Sequence, residues 1–369
     1  MKKLSLLAAL AFSVAAVRAQ VVFHKIEPLG KALGPFDEGG SYFALKWQKA
    51  APNGVFLAAA ADPARRRVWL AAAPYGTSSE AVLTAFDAHG EKAGEVLLPT
   101  GFKEFKVLDE GGPDPLFVVY REAALAAFDA GGKMRWELKP AQMRAESFAL
   151  ASKSEGGPWV AATYYYGEAG LRVADGKGKL LCELKEPSSL RWVSRVLVGK
   201  KARLLATDGI GKLMILDEKG KVLERVSAGG NSERALLDAR NPKDRRLYVL
   251  DSGFDTQRQS IAVYRSTDPA KGGWTKELSQ DLGHITVSAL TLGDFDGKGT
   301  LLPVLGTDNG WVFVLDQTGK VIDERRLHGR VSLLAAADFS GKGKDDLLVA
   351  TEGSSLNLSF YTREARPSR

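Results

Sequence analysis

The chain has 369 residues, 45% of them hydrophobic and 26% charged, with 39 glycines and one cysteine. A single cysteine excludes an intrachain disulfide and any cysteine-based metal cluster. The formal charge of +7 comes from interleaved acids and bases, too mild a pattern to mark a nucleic-acid binder.

In chain order, residues 1–19 read as a secretory signal. Lys2-Lys3 precede an apolar stretch from Leu4 to Val17, and Val17-Arg18-Ala19 forms a small-x-small cleavage site before Gln20. The stretch is short for a membrane span, and no cysteine follows it to carry a lipid. The expectation is an exported protein, periplasmic or extracellular, with no transmembrane segment.

Beyond that segment, short apolar runs separated by Gly and Asp predict strands throughout, with no sustained helical period. The cleanest unit is Leu204–Val226, LLATDGIGKLMILDEKGKVLERV. In its turn Asp217-Glu218-Lys219-Gly220-Lys221, the Asp side chain can accept backbone N–H groups and the Gly supplies a positive φ. Matching turns begin at Asp87, Asp129, Asp175 and Asp316, while Tyr264 and Tyr361 hold the equivalent place in an irregular copy and in the last copy. These markers recur every 42 to 52 residues, in the range of propeller blades. Each unit has room for four strands, A to D; in the fourth unit they are Trp192–Val198, Arg203–Thr207, Lys212–Leu216 and Val222–Val226. The prediction is an all-β, seven-bladed β-propeller over residues 20–362, with 20–54 as closing strand and lead-in, 55–362 as repeats and 363–369 as a tail. The last unit stops after three strands. Val21–Leu29 (VVFHKIEPL) is the expected fourth, an N-terminal strand that closes the ring and removes an exposed sheet edge.

Two sets of residues carry a resemblance. Phe128–Pro140 (FDAGGKMRWELKP) resembles the repeat of quinoprotein-like (PQQ-like) propellers, with an Asp, a Gly turn and a Trp in the next strand. Gly293–Gly299 (GDFDGKG) and Ala337–Ala350 (ADFSGKGKDDLLVA) resemble FG-GAP or VCBS repeats. From about residue 55 onward this resemblance implies a propeller and no particular activity. FG-GAP loops imply calcium held by alternating carboxylates. Here Asp294 and Asp296 are followed by Lys298 and Leu302, and Asp338 and Asp346 accompany Ser340 and Lys342, so no metal is expected. The vicinal cysteines and aromatic floor of quinone enzymes are missing, so no cofactor is expected either.

Catalytic motifs do not emerge. His24, His89, His284 and His328 show no metal-ligand spacing, and no nucleophile elbow, zinc-protease or phosphate-loop pattern is present. Cys182, in KLLCEL, reads as an inert strand thiol. Trp69, Trp136, Trp159 and Trp192 read as inter-blade packing.

One pattern points to a site. In a propeller the D–A and B–C connections share the face around the channel mouth. Lys103, Arg144, Arg191, Arg234 and Arg330 recur 14 to 17 residues after a marker Asp, and His284 holds the same place in the irregular copy. The B–C turns of that face offer Tyr165, Asp208 and Asp308, along with Tyr75, Arg121, Tyr164, Tyr166, Phe254, Asp255, Arg258 and Glu352. Six bases at one mouth concentrate positive potential for an anionic ligand; alternatively they pair with Asp208, Asp308 and Glu352 in a neutral network. The function expected is an exported, non-enzymatic propeller that binds a protein, peptide or glycan. A lyase or hydrolase working in the channel, and a scaffold resembling the propeller subunit of outer-membrane assembly machinery, stay open.

Overall fold

The computed structural model describes residues 42–50, 55–74, 80–99, 102–121, 124–138, 144–165, 170–185, 190–208, 210–252, 259–266, 273–352 and 357–363. Residues 1–19, Val21–Leu29 and the tail after 363 lie outside them. β1 (Ala44–Ala50) is followed by six sheets formed in sequence. They are β2–β5 (Val55–Asp62, Arg67–Pro74, Glu80–Phe86, Lys92–Pro99), β6–β9 (Phe102–Leu108, Leu116–Arg121, Ala124–Phe128, Met134–Leu138) and β10–β13 (Arg144–Ala151, Trp159–Tyr165, Gly170–Asp175, Leu180–Lys185). Next come β14–β17 (Trp192–Val198, Lys201–Thr207, Lys212–Leu216, Val222–Ser227), β18–β21 (Ser232–Asp238, Arg245–Ser252, Gln259–Ser266, Thr275–Gly283) and β22–β25 (Val287–Gly293, Leu302–Thr307, Trp311–Leu315, Val321–Arg326). The seventh sheet takes β26–β28 (Arg330–Ala337, Asp346–Glu352, Asn357–Thr362) and adds β1 as its outer strand. First strands lie side by side in the order β2, β6, β10, β14, β18, β22, β26, and β26 returns to β2. The ring is closed.

Closure is therefore made by an N-terminal strand, but by Ala44–Ala50 rather than Val21–Leu29. β1 runs antiparallel to β28 from Ala44 opposite Thr362 to Ala50 opposite Asn357. Trp47 explains the choice. Its indole N–H donates to the Ala88 carbonyl at 3.0 Å, and its ring covers Gly90, where a Cβ would come within 2.8 Å. Trp136, on the outer strand of the second blade, makes the same contact with the turn of the third, donating to the Gly176 carbonyl at 2.7 Å and covering Gly178. Trp47 thus occupies the outer-strand Trp position of the repeat.

The C–D turns behave as the Asp–Gly pattern requires. Asp217 Oδ1 accepts from the N–H groups of Lys219 (3.0 Å) and Lys221 (2.8 Å), and Gly220 has φ +78°. Asp87, Asp129, Asp175 and Asp316 repeat this arrangement.

Core lies between blades, not within one. Trp69 and Phe117 join the first two, Val173 and Leu204 the third and fourth, Val314 and Val349 the sixth and seventh, and Leu70 and Phe360 the seventh and first. Third strands such as β8 are buried along their whole length, while outer strands such as β13 alternate with solvent. Continuous apolar runs with a burial gain on both faces follow.

The A–B connections, on the face opposite the expected mouth, are tied blade to blade. Arg65 donates to the carbonyls of Gly112, Pro113 and Asp114, each at 2.9 Å. The Lys153 N–H reaches the Asp109 carbonyl (3.0 Å), Glu155 pairs with Arg195, and the Gly199 N–H reaches the Ala239 carbonyl (3.2 Å). Arg240 donates to the Gly299 carbonyl (2.9 Å), and the Asp345 N–H to the Asp294 carbonyl (2.8 Å). Gly341 then faces the Arg66 guanidinium of the first blade. No helix of the described residues is long and apolar enough to cross a membrane.

Candidate functional site

The mouth is built by the entries of the first strands, and β-bulges decide where each side chain goes. The pairing register shifts at Phe102/Glu104, Ala145/Ser147, Ser232/Arg234, Val287/Ala289 and Val331/Leu333. An extra residue there bends the strand and re-aims its neighbours. The six bases consequently fall at different structural positions. Lys103 is itself the extra residue of β6, and Arg234 follows the extra residue Glu233. Arg144 and Arg330 stand opposite Tyr165 and Glu352. Arg191 and His284 precede their strands and are exposed. For Lys103, Arg144, Tyr165 and Arg121 the backbone position alone is described. Tyr75, Tyr166, Phe254, Asp255 and Arg258 lie outside the described residues.

The structure brings Arg234, Arg330 and Asp308 together. Arg234 Nη1 donates to the Ser288 carbonyl of the next blade. Burial lowers its guanidinium from the ordinary value; Glu233, Glu104 and Asp308 oppose that shift and Arg330 adds to it. Arg330 Nε meets Asp308 Oδ1 at 2.8 Å, with the two side chains 53% and 43% exposed. Glu104 pairs with Lys106 at 3.2 Å, and Glu233 accepts from the Ser252 hydroxyl at 2.7 Å. Cations and carboxylates from four blades thus balance at this part of the mouth.

Just below, inner strands are tied side chain to carbonyl: Lys106 to Phe148, Ser147 to Val193 (3.1 Å) and Ser288 to Val331 (2.6 Å). Arg234 belongs to this girdle. Glu104, Glu233, Lys106 and Ser288 carry no sequence signal of their own, because only the bulges and the ring juxtapose them.

Asp208 is buried, and its Oδ1 accepts from the N–H groups of Ile210 and Lys212, each at 2.9 Å. Its carboxylate shapes its own turn. Ile210, at the tip of that turn, stands 55% exposed. Tyr164 is buried, its phenol pushed up chiefly by desolvation.

In the FG-GAP-like loops, Asp338 accepts from the N–H groups of Lys342 (2.8 Å) and Gly343 (2.9 Å), and Asp294 from Gly299 (2.8 Å). Asp345 bridges the loops, accepting from the Asp294 N–H at 2.7 Å. Among the described residues, no group of three or more His, Cys, Asp or Glu side chains is placed to hold a metal ion. Cys182 is half-buried, with its thiol pushed up by burial.

Seven four-stranded antiparallel blades in a closed ring define a seven-bladed β-propeller. No protein-family model matches the sequence, and no curated protein matches it. Solved structures do. Two crystal structures of BBS1N in complex with ARL6DN, one soaked with mercury and one with lead, superimpose with a TM-score of 0.59 at 12% identity. In each case the match covers 88% of this chain and 98% of that one. At this identity the likeness is one of fold.

Proposed function

We propose that the protein is an exported, non-enzymatic propeller that recognises a protein partner through the face carrying the B–C and D–A connections. The observation that carries this reading is the composition of the described mouth. Partly exposed Arg330 and Asp308, exposed Arg191 and His284, and the apolar tip of Ile210 share one face. Balanced charges from several blades, with an apolar point beside them, suit a macromolecular surface of mixed charge better than a small anion. The opposite face spends its A–B connections on blade-to-blade ties. Export is supported by the signal pattern of residues 1–19, and a protein partner is consistent with BBS1N having been crystallised in complex with ARL6DN.

A photo-crosslinking residue at Ile210, with a second at the exposed Glu95 on the outer strand β5 as control, tests the reading in the native compartment. The expected result is a discrete adduct from position 210 alone, lost when Arg330→Glu reverses a mouth charge. Equal labelling from both positions, or none from 210, overturns it.

A further inference from the structure

Most of the large apolar side chains that stand exposed among the described residues fall within the first two residues of an outer strand. Met134 is the first residue of β9, Leu180 and Leu181 open β13, Leu223 is second in β17 and Ile322 second in β25. Only Leu97 and Ile210 fall elsewhere. An outer strand rises from its C–D turn, so these residues form the lower edge of the outer wall, on the side opposite the mouth. Each follows an exposed lysine of its turn: Lys133, Lys179, Lys221 and Lys320. In the second to fourth blades, which are consecutive, Met134, Leu180, Leu181 and Leu223 make an arc of aliphatic tips behind a row of ammonium groups.

Charge on that face is layered. Carboxylates of the turns face inward, Asp129, Asp175 and Asp217 each accepting two backbone N–H groups. The A–B connections add exposed Lys153 and Lys200 on the same arc. Among the described residues, exposed acids of the connections on this face are Glu91, Glu110 and Asp114, in the first and second blades. Single exposed leucines are ordinary on any surface; exposed aliphatics gathered at the start of four outer strands, each within two residues of an exposed lysine, are not.

We infer that the lower rim of the second to fourth blades docks on an anionic lipid surface. Protein interfaces are depleted in lysine, whereas each turn of this arc presents an exposed one. At a bilayer the same composition fits. Aliphatic tips enter the boundary between headgroups and acyl chains, while lysine stems lie along them with the ammonium in the headgroup layer.

The test uses the mature protein with vesicles of phosphatidylcholine alone and of phosphatidylcholine and phosphatidylglycerol in equal parts. Co-sedimentation is expected with the mixed vesicles only, weakening as salt screens the lysines. Lys179→Gln and Lys221→Gln should each weaken partitioning about fivefold, the equivalent of about 1 kcal/mol per basic residue near such a surface. Leu181→Ser with Leu223→Ser should weaken it too, with the melting temperature unchanged because both side chains are exposed. A Leu223→Trp variant should gain quenching from brominated acyl chains. The inference is overturned by absence of binding to mixed vesicles at low salt, by binding indifferent to the leucines, by no gain in quenching, or by a preference for nucleic acid over the vesicles.

Discussion

Arg234 donates across a blade junction from a half-buried position, whereas Arg330 meets Asp308 in partial exposure. The distinction sets their worth. An exposed pair contributes roughly 0.2–1 kcal/mol, while a charged donor on a buried carbonyl contributes roughly 1.5–3 kcal/mol. Asp345 argues the opposite case, a charge the fold tolerates at a cost. Burial raises its carboxyl, and Asp294 and Asp338 add to the shift against Arg240 and a backbone N–H. With the folded pKa above the unfolded one, stability from this group is complete below the unfolded pKa and declines as pH rises through the folded value. Asp345→Asn keeps an acceptor for the Asp294 N–H and removes the charge. Its melting temperature should exceed that of the parent at pH 7, and the gap should close as pH falls into the carboxylate range. A lower melting temperature at pH 7 would show that attraction to Arg240 outweighs burial.

At the scale of the element, two outer strands are held by a tryptophan that covers the turn of the next blade. Trp136 and Trp47 each cap a positive-φ glycine and donate to a carbonyl of the neighbouring C–D turn. Trp47 also stacks on Phe360 with ring centroids 5.2 Å apart. Trp47→Ala should therefore cost roughly 3 kcal/mol, at the lower end of large aromatic truncations because the side chain is half-buried. It should also raise amide exchange in β1 and β28 before other strands. Uniform exchange throughout the ring would mean that the closing strand is not a separate weak point. The signal for this strand was present in the sequence: ALKWQK echoes KMRWELK, with Trp47 matching Trp136. Val21–Leu29 has strand character too, but strand character says nothing of which neighbour a strand must cover.

For the whole molecule, the two surfaces proposed lie on opposite faces of the ring, separated by inter-blade cores from Trp69–Phe117 round to Leu70–Phe360. They should act independently. Lysine and leucine substitutions on the lower rim should leave crosslinking from Ile210 unchanged, and Arg330→Glu should leave vesicle binding unchanged. Loss of both by either variant would point to a global effect on the ring.

Repeat number, strand count and turn chemistry were all determined by the sequence alone, since each depends on residues a few positions apart. An Asp that caps its own turn and a Gly that supplies a positive φ act locally, and their recurrence counts the blades. The mouth is different. Lys103, Arg144, Arg191, Arg234, His284 and Arg330 look equivalent by spacing, yet a one-residue bulge changes which way a side chain leaves its strand. The electrostatic influence of Glu104 on Arg234 also spans blades more than a hundred residues apart in the chain. Only the tertiary structure decided those neighbours, because bulge position and ring closure depend on contacts that no local spacing records.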